Sequence, residues 1–316
     1  MDNDGGIVTI GVSPAWDIIC RGADLDWGRH PVIDEQVIRP AGKALNISYA
    51  LAWMGLQSVA AGLWGHEDYD EMEAAVGRLG GVVQAQMTAA EGRTRQNITV
   101  VDTRRQREIH LRCKSSLASE RSLRRLGLDL GGLLHDGDTC VFAGAMPAGP
   151  LLEPVVCLVQ ACRRPGTRIA VDSHGPALRR IVDEGLAWLI TPNVEELGEL
   201  LDSDIEDTPA GLAAAARRLL DKVDIVLISR GGQGALAVTK GGVWVGQANT
   251  QRESFSTVGC GDYLLAGFLA GMEKDGDPCA ALTRGLKVAT ARAWGWTERK
   301  TWQQVEKEIA IGVESL

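Results

Sequence analysis

Thr139-Cys140-Val141-Phe142-Ala143-Gly144-Ala145-Met146-Pro147-Ala148-Gly149 is a short apolar run that breaks into a loop marked by glycine and proline. A helix-length stretch follows, Leu151 to Cys162. A second apolar run comes next, Arg168 to Val171, and it ends at Asp172. A strand apolar on both faces must be covered on both faces, and a helical crossover between two such strands makes them parallel. The pattern repeats outward from here. Glu120 to Leu134 reads as the preceding helix. Downstream come helix Pro176 to Val182, strand Ala187 to Ile190, helices Glu195 to Leu201 and Ala210 to Leu220, and strand Ile225 to Ile228. Ser229-Arg230-Gly231-Gly232-Gln233-Gly234 then turns into two short strands, Ala235 to Thr239 and Val243 to Val245. Helices near 262–274, 278–294 and 300–312 close the chain. Upstream, Ile7 to Val12, Val59 to Leu63 and Val82 to Met87 read as strands, with a helix over Asp68 to Leu79. The alternation predicts an α/β fold, three layers α/β/α around a mostly parallel central sheet.

Two segments depart from that rhythm. Residues 18–40 hold short apolar pieces, Ile18-Ile19 and Val37-Ile38, among Asp, Gly, Arg and Pro. Residues 95–113 alternate around Ile98, Val100, Ile109 and Leu111, with Asp102-Thr103-Arg104-Arg105 at a hairpin tip. Both read as exposed antiparallel strands, so the chain is one body, 1–316, carrying a small β-sheet lid made of two insertions, about 13–40 and 95–113. The second insertion is locally basic, with Arg93, Arg95, Arg112 and Lys114. Arg104, Arg105 and Arg107 read as a solvated face, and Arg95, beside a strand start, as the better anion ligand.

The chain has 316 residues, 45% of them hydrophobic, and a formal net charge of -8. That charge argues against a nucleic acid or an anionic membrane as the main partner, while a local basic cluster still permits an anionic small molecule. Seven cysteines include no pair with metal-ligand spacing and mostly sit in apolar surroundings, which points to a reducing, cytoplasmic setting. No signal-like segment or bilayer-length apolar run is present. Nine tryptophans against three Tyr and three Phe form an imbalance to which the sequence attaches no function.

The chemistry concentrates in Ser256-Thr257-Val258-Gly259-Cys260-Gly261-Asp262-Tyr263-Leu264-Leu265-Ala266-Gly267. Gly259 and Gly261 permit a tight turn, and the helical spacing of Leu264, Leu265, Phe268 and Leu269 makes that turn open a helix. A glycine turn at a helix N-terminus attracts anions through its N–H groups and the helix dipole. A carboxylate in the same turn suits a base beside a migrating phosphoryl group. Equally, Asp262 reads as an ordinary helix-start carboxylate. Pro40-Ala41-Gly42-Lys43-Ala44-Leu45-Asn46-Ile47 is a second glycine turn before a helix. Ala44 after the lysine excludes a P-loop, which needs Ser or Thr there. Lys43 and Asn46 face a ligand across this helix start, or Asn46 is a buried cap. Asp17 falls at the end of the first strand, as a ligand group or a turn aspartate. Asp172, Asn193, Glu196, Ser229 and Gly231 also follow strands, and in a parallel sheet such ends line one edge, where ligands bind. Asn193 and Glu196, three apart at a helix start, suit a hydrated Mg²⁺ or a simple N-cap.

Taken together these motifs resemble the PfkB/ribokinase family of carbohydrate kinases. Val258-Gly259-Cys260-Gly261-Asp262 is similar to its GAGD signature, Pro40 to Ile47 to its PGGKGxNV signature, and Thr191-Pro192-Asn193-Val194-Glu195-Glu196-Leu197 to its NxxE segment. Ser256-Thr257, Thr94-Arg95-Gln96-Asn97 and Thr9 to Asp17 are closest to the 1-phosphofructokinase and tagatose-6-phosphate kinase branch. The resemblance implies a ribokinase-like fold and an ATP- and Mg²⁺-dependent kinase of a phosphorylated ketohexose. It makes Asp262 the general base, with the amides of Gly259, Cys260 and Gly261 as the anion hole. Asp17, Gly42, Lys43 and Asn46 would hold the sugar and Arg95 its phosphate. Asn193 and Glu196 would organise ATP phosphates and Mg²⁺, the metal meeting Glu196 through water, and Ser229, Gly231 and Gly234 would border the nucleotide. The lid implies a homodimer.

Three departures bear on the acceptor. Two signature glycines are Ala41 and Ala44. The serines of the family's SGSLPPG loop are Ala143 and Ala145, and NEPG after the second lid strand is Leu111-Arg112-Cys113-Lys114. The phosphotransfer set is intact and the sugar-recognition set is altered. A kinase of an unphosphorylated sugar or nucleoside, and a non-catalytic sugar sensor on the same scaffold, are the alternatives.

Overall fold

Burial follows the sequence pattern strand by strand. A computed structural model describes residues 5–78, 83–250, 252, 254 and 257–316; Ser256 and the expected helix and strand ends at Leu79 and Val82 lie outside the described residues. In chain order the elements are β1 (Ile7–Gly11), β2 (Ala15–Gly22), β3 (Glu35–Ala41), α1 (Lys43–Trp53), β4 (Ser58–Gly65), α2 (Tyr69–Gly77), β5 (Val83–Ala90), β6 (Gln96–Asp102) and β7 (Arg107–Leu111). Then come α3 (Glu120–Leu133), β8 (Thr139–Ala143), α4 (Leu152–Ala161), β9 (Arg168–Asp172), α5 (Gly175–Asp183), β10 (Leu189–Ile190), α6 (Val194–Leu201), α7 (Pro209–Arg217) and β11 (Ile225–Ser229). The last are β12 (Ala235–Thr239), β13 (Gly242–Ala248), α8 (Cys260–Asp275), α9 (Pro278–Ala293), α10 (Trp302–Glu308) and β14 (Ile311–Ser315).

The large sheet runs β14-β13-β12-β11-β10-β9-β8-β1-β4-β5. From β11 to β5 every pairing is parallel, and β12, β13 and β14 add an antiparallel edge. Leu123, Leu126, Val156, Ile181, Leu197 and Leu212 pack on one face. Ile47, Leu51, Leu265, Phe268, Leu282 and Leu286 pack on the other. Both faces are covered, as the wholly apolar strands require. No helix among the described residues is long and apolar enough to cross a membrane.

The lid is a separate sheet of order β3-β2-β6-β7. It corrects three sequence expectations. Asp17 is the third residue of β2, inside the lid, because Ser13-Pro14 ends β1 and the chain turns into a new strand at Ala15. The two insertions join through a parallel β2–β6 pairing, so the lid is mixed rather than antiparallel. Arg104, Arg105 and Arg107 are exposed but engaged, pairing with Asp24, Asp26 and Asp102 respectively. At the lid's base the Trp16 indole donates to Asp68, whose other oxygen accepts from the Thr94 amide at 3.0 Å.

A fourth correction falls at the C-terminus. The helix expected over 300–312 stops at Glu308, and Ile311–Ser315 pairs antiparallel with β13. The backbone turns extended at Ile309, and Ile311 and Val313 alternate onto the same apolar cluster as α9, a period of two. Six of the nine tryptophans form edge-to-face pairs, Trp16–Trp64, Trp53–Trp302 and Trp294–Trp296.

Helices α8 and α9 approach backbone to backbone through glycine. A Cβ placed on Gly267 would lie 2.7 Å from the Gly285 Cα, whereas one on Gly131 of α3 meets nothing within 4 Å. Alanine gains about 1 kcal/mol over glycine in a helix interior, but forced overpacking costs about 1–3 kcal/mol. Gly131→Ala is therefore expected to raise the midpoint of urea unfolding. Gly267→Ala should lower it, because the α9 backbone cannot yield without opening the core.

Candidate active site

Two helix N-termini meet at the carboxyl edge of the parallel sheet. Helix α1 starts at Lys43 after Gly42 (φ 127°), and α8 starts at Cys260 after Gly259 (φ 79°). Both glycines hold left-handed conformations that residues with a Cβ adopt only under strain. Neither N-terminus carries a side-chain cap, so the positive helix ends face outward. The signature changes leave this untouched. The positive φ falls on the retained Gly42, while Ala41 ends β3 and Ala44 packs in the core.

Asp262, in the first turn of α8, is only 4% exposed. Its Oδ2 accepts from Asn46 Nδ2 at 2.7 Å, which ties α8 to α1. Burial, then the nearby Asp172 carboxylate, push its pKa up to about 7, against the pull of Lys43, Asn46 and Arg292. Lys43 Nζ bonds Asp172 Oδ1 at 2.7 Å, with Asp172 6% and Lys43 38% exposed. Burial works to lower the lysine's pKa, but the attraction of Asp172 and Asp262 outweighs it and the net shift is upward. The site thus holds a charged ammonium beside a carboxylate that titrates near neutrality. Burial likewise drives the Cys260 thiol up to about 11, so it is a neutral side chain there.

Asn193 and Glu196 form a reciprocal capping box on α6. Asn193 N–H donates to Glu196 Oε2 at 2.9 Å, and Glu196 N–H to Asn193 Oδ1 at 2.8 Å. The cap and the ligand readings are compatible, since Glu196 Oε1 is turned to His174 Nδ1 at 3.9 Å and both residues face a cleft.

That cleft, of about 550 Å³, lies beneath the lid. Asp17, Gly42, Lys43, Asn46, Arg95, Asn193, Glu196, Gly259 and Asp262 line it. A second cleft of about 620 Å³ runs between the β11–β12 turn and helices α8 and α9, lined by Gly231, Gly234 and Cys260 and walled by Leu286, Ala289 and Trp294. Ser229, Thr257, Gly261 and Leu264 border both clefts. The uncapped start of α8 is the partition between them.

Arg95, expected as an anion ligand, lines the cleft and is partly engaged by the backbone. Its Nε, Nη1 and Nη2 donate to the carbonyls of Pro14 (3.1 Å), Cys113 (2.8 Å) and Ser13 (3.0 Å). Asp17 Oδ1 accepts from Asn97 Nδ2 at 3.2 Å, across the parallel β2–β6 pairing. Some partnerships of the site escaped the sequence reading. Asp172 stood at a strand end, but its partner Lys43 is 129 positions away. Arg292, whose Nε donates to Val258 O at 3.2 Å, sits on the amphipathic α9 and carries no local signal. Asn97 lay within the Thr94 to Asn97 segment, and its alternation on β6 was the available clue.

A buried carboxylate at a helix N-terminus between two clefts can serve as a base for phosphoryl transfer to a hydroxyl. The sequence profile of the pfkB family carbohydrate kinases matches residues 23–293, and the chain belongs to that family. It is 30% identical over 262 residues to the 1-phosphofructokinase of Rhodobacter capsulatus, spanning 81% of this chain and 77% of that one. It is 24% identical over 285 residues to the 1-phosphofructokinase of Haemophilus influenzae, spanning 90% and 88%. In fold it is similar to phosphofructokinase-2 from Escherichia coli in complex with fructose-6-phosphate, with TM-score 0.85, 22% identity and 96% and 99% of the two chains covered. A tetrameric inhibited form of the same Escherichia coli protein superimposes equally well, at 0.85.

Breaking one side of the Lys43–Asp172 pair leaves a carboxylate with little access to water. Lys43→Met is expected to cost about 1–3 kcal/mol in urea unfolding at pH 8, less than a fully buried pair because Lys43 is partly solvated. Adding Asp172→Asn should restore part of the loss, and additive losses in the double variant would contradict the pairing.

Proposed function

We propose that this chain is an ATP- and Mg²⁺-dependent kinase of a phosphorylated ketohexose, with Asp262 as the general base. The observation that carries the proposal is the position of Asp262, buried at the α8 N-terminus on the partition between the two clefts. The sugar phosphate takes the cleft beneath the lid and the nucleotide takes the cleft along α9, where Trp294 and Leu286 suit an apolar base and the 231–234 turn borders the phosphates. The acceptor hydroxyl gives its proton to Asp262 as its oxygen attacks the terminal phosphorus, and the bond from that phosphorus to the bridging oxygen breaks to release ADP. The α8 amides and the Lys43 ammonium meet the charge that builds on the transferring group. A group near pKa 7 suits this task, because it is ionised at neutral pH and still basic enough to take a proton.

Glu196 and Asn193 are the residues that would hold Mg²⁺. Among the described residues no group of three or more His, Cys, Asp or Glu could hold a metal. One cleft-facing carboxylate oxygen fits an ion that keeps its waters and binds mainly through phosphates. When bound, Mg²⁺ supplies charge neutralisation on the phosphate oxygens.

A second reading, an unphosphorylated acceptor, draws on the carbonyl-bound Arg95 and the missing hydroxyls at Ala143 and Ala145. The relatives' activities favour a phosphorylated one. The lid also favours a homodimer, since Trp27 (92% exposed), Val32, Ile38 and Leu111 place apolar surface on it.

Asp262→Asn should reduce sugar-dependent ADP release by about 10²–10⁴-fold, the usual range for a lost general base. In the parent protein only the deprotonated carboxylate works. The rate is expected to fall about tenfold per pH unit below pH 7 and to level off above it. A flat profile through that range, or near-normal turnover in Asp262→Asn, would remove Asp262 from the role. Trp27→Asp is expected to shift a dimer toward monomer in sedimentation velocity, and an unchanged sedimentation coefficient would place any self-association elsewhere.

A further inference from the structure

Five basic side chains reach the cleft beneath the lid, and four of them are engaged. Lys43 holds Asp172, and His174 faces Glu196. His110 Nδ1 pairs with Thr99 Oγ1 at 2.9 Å, and its Nε2 stands 3.2 Å from Glu108. Arg95 donates to three backbone carbonyls. The fifth is Arg112, an exposed residue just past the end of β7 that also lines the cleft. Among the described residues it has no hydrogen bond or ion pair. One of the Arg95 bonds is to the carbonyl of Cys113, the residue next to Arg112, so Arg95 pins the backbone from which Arg112 projects. The two guanidinium groups also repel each other: burial first, then the Arg112 charge, hold the Arg95 pKa below its ordinary value. Asp17, on the same cleft, offsets the charge at Arg95 in part, and Arg112 has no such partner among the described residues.

We propose that Arg112 takes up the anionic group of the phosphorylated acceptor, and that Arg95 is a positioning residue that fixes the Arg112 segment through Cys113. This rests on the reading that the acceptor is a sugar phosphate. The acceptor then spans the cleft with its free hydroxyl at Asp262 and its phosphate at the lid end. Three carbonyls take three of the five N–H groups of Arg95, which commits it to holding the backbone, while Arg112 offers its whole guanidinium and Arg95 adds positive field.

The test is steady-state kinetics on a panel of ketohexose phosphates and the free sugars, with Arg112→Gln, Arg112→Lys and Arg95→Gln. Arg112→Gln should raise the KM for the sugar phosphate by about tenfold or more, the loss expected for one charged contact, and move the KM for ATP by less than about twofold. Arg112→Lys should recover most of the loss. Inorganic sulfate should compete with the sugar phosphate in the parent protein and far less in Arg112→Gln. Arg95→Gln should raise the same KM, and the double variant should be no worse than about the larger single effect, since both act through one contact. A purely structural Arg95 would lower thermal stability and move both Michaelis constants. An unchanged sugar-phosphate KM in Arg112→Gln, with the parent protein active on sugar phosphates, overturns the Arg112 assignment and leaves the kinase reading standing. A parent protein that phosphorylates only free sugars overturns both.

Discussion

Asn46 and Asp262 stand 216 positions apart and meet in a 2.7 Å hydrogen bond. Everything chemical in the molecule depends on that junction. It requires α1 and α8 to lie side by side on one face of the sheet with their N-termini level. The shared apolar cluster that holds Ile47 and Leu51 of α1 with Leu265, Phe268 and Leu269 of α8 provides this. Asn46 is also the group that makes a buried Asp262 tolerable, because an ionised carboxylate away from water needs a donor. Asp262 is buried beside a second carboxylate, Asp172, and Lys43 offsets the pair. The arrangement keeps Asp262 near the point of titration and leaves the cost to packing elsewhere.

The body of the fold was legible in the sequence because its strands are apolar on both sides. Val141, Phe142, Ile169, Val171, Val226 and Leu227 left no other reading than a covered parallel sheet, and the structure places them there. The site was legible where glycine marks a backbone requirement, at Gly42 and Gly259, and where polar residues follow strands, at Asn193, Glu196 and Ser229. Illegible features were those set by pairing between distant segments. Nothing local in Ile18-Ile19 or Ile98 says that β2 and β6 run parallel. Nothing local in Asp172 names Lys43, and the period-two alternation of Ile311 and Val313 is too short to compete with a helix pattern just before it.

Charge in this protein is locally at odds with its sum. A net charge of -8 suits no anion, yet the cleft beneath the lid holds Lys43, Arg95 and Arg112. In the lid the pairs Arg104–Asp24 and Arg105–Asp26 cancel charge locally in exposed positions, where solvent screens them. Within the clefts the dielectric is lower and single charges count for more. Global charge and local charge therefore differ here: Arg95 is tied to three backbone carbonyls, and Arg112 is exposed on the same cleft.

The same distinction explains the altered signature residues. Ala41 and Ala44 add methyl groups beside a glycine turn, and both methyls go into packing: Ala41 is fully buried, and the Ala44 Cβ would be 3.1 Å from a Cβ on Gly11. Neither lines the cleft beneath the lid. The turn survives because its one left-handed residue, Gly42, is retained. These two changes therefore reshape the wall behind the site rather than its surface. What differs at the surface is Ala145, which offers no hydroxyl, and Arg112, which offers a charge. A donor is absent on the body and a cation is present at the lid, and of the groups lining this cleft Asp17, Arg95, His110 and Arg112 belong to the lid strands and the segments beside them.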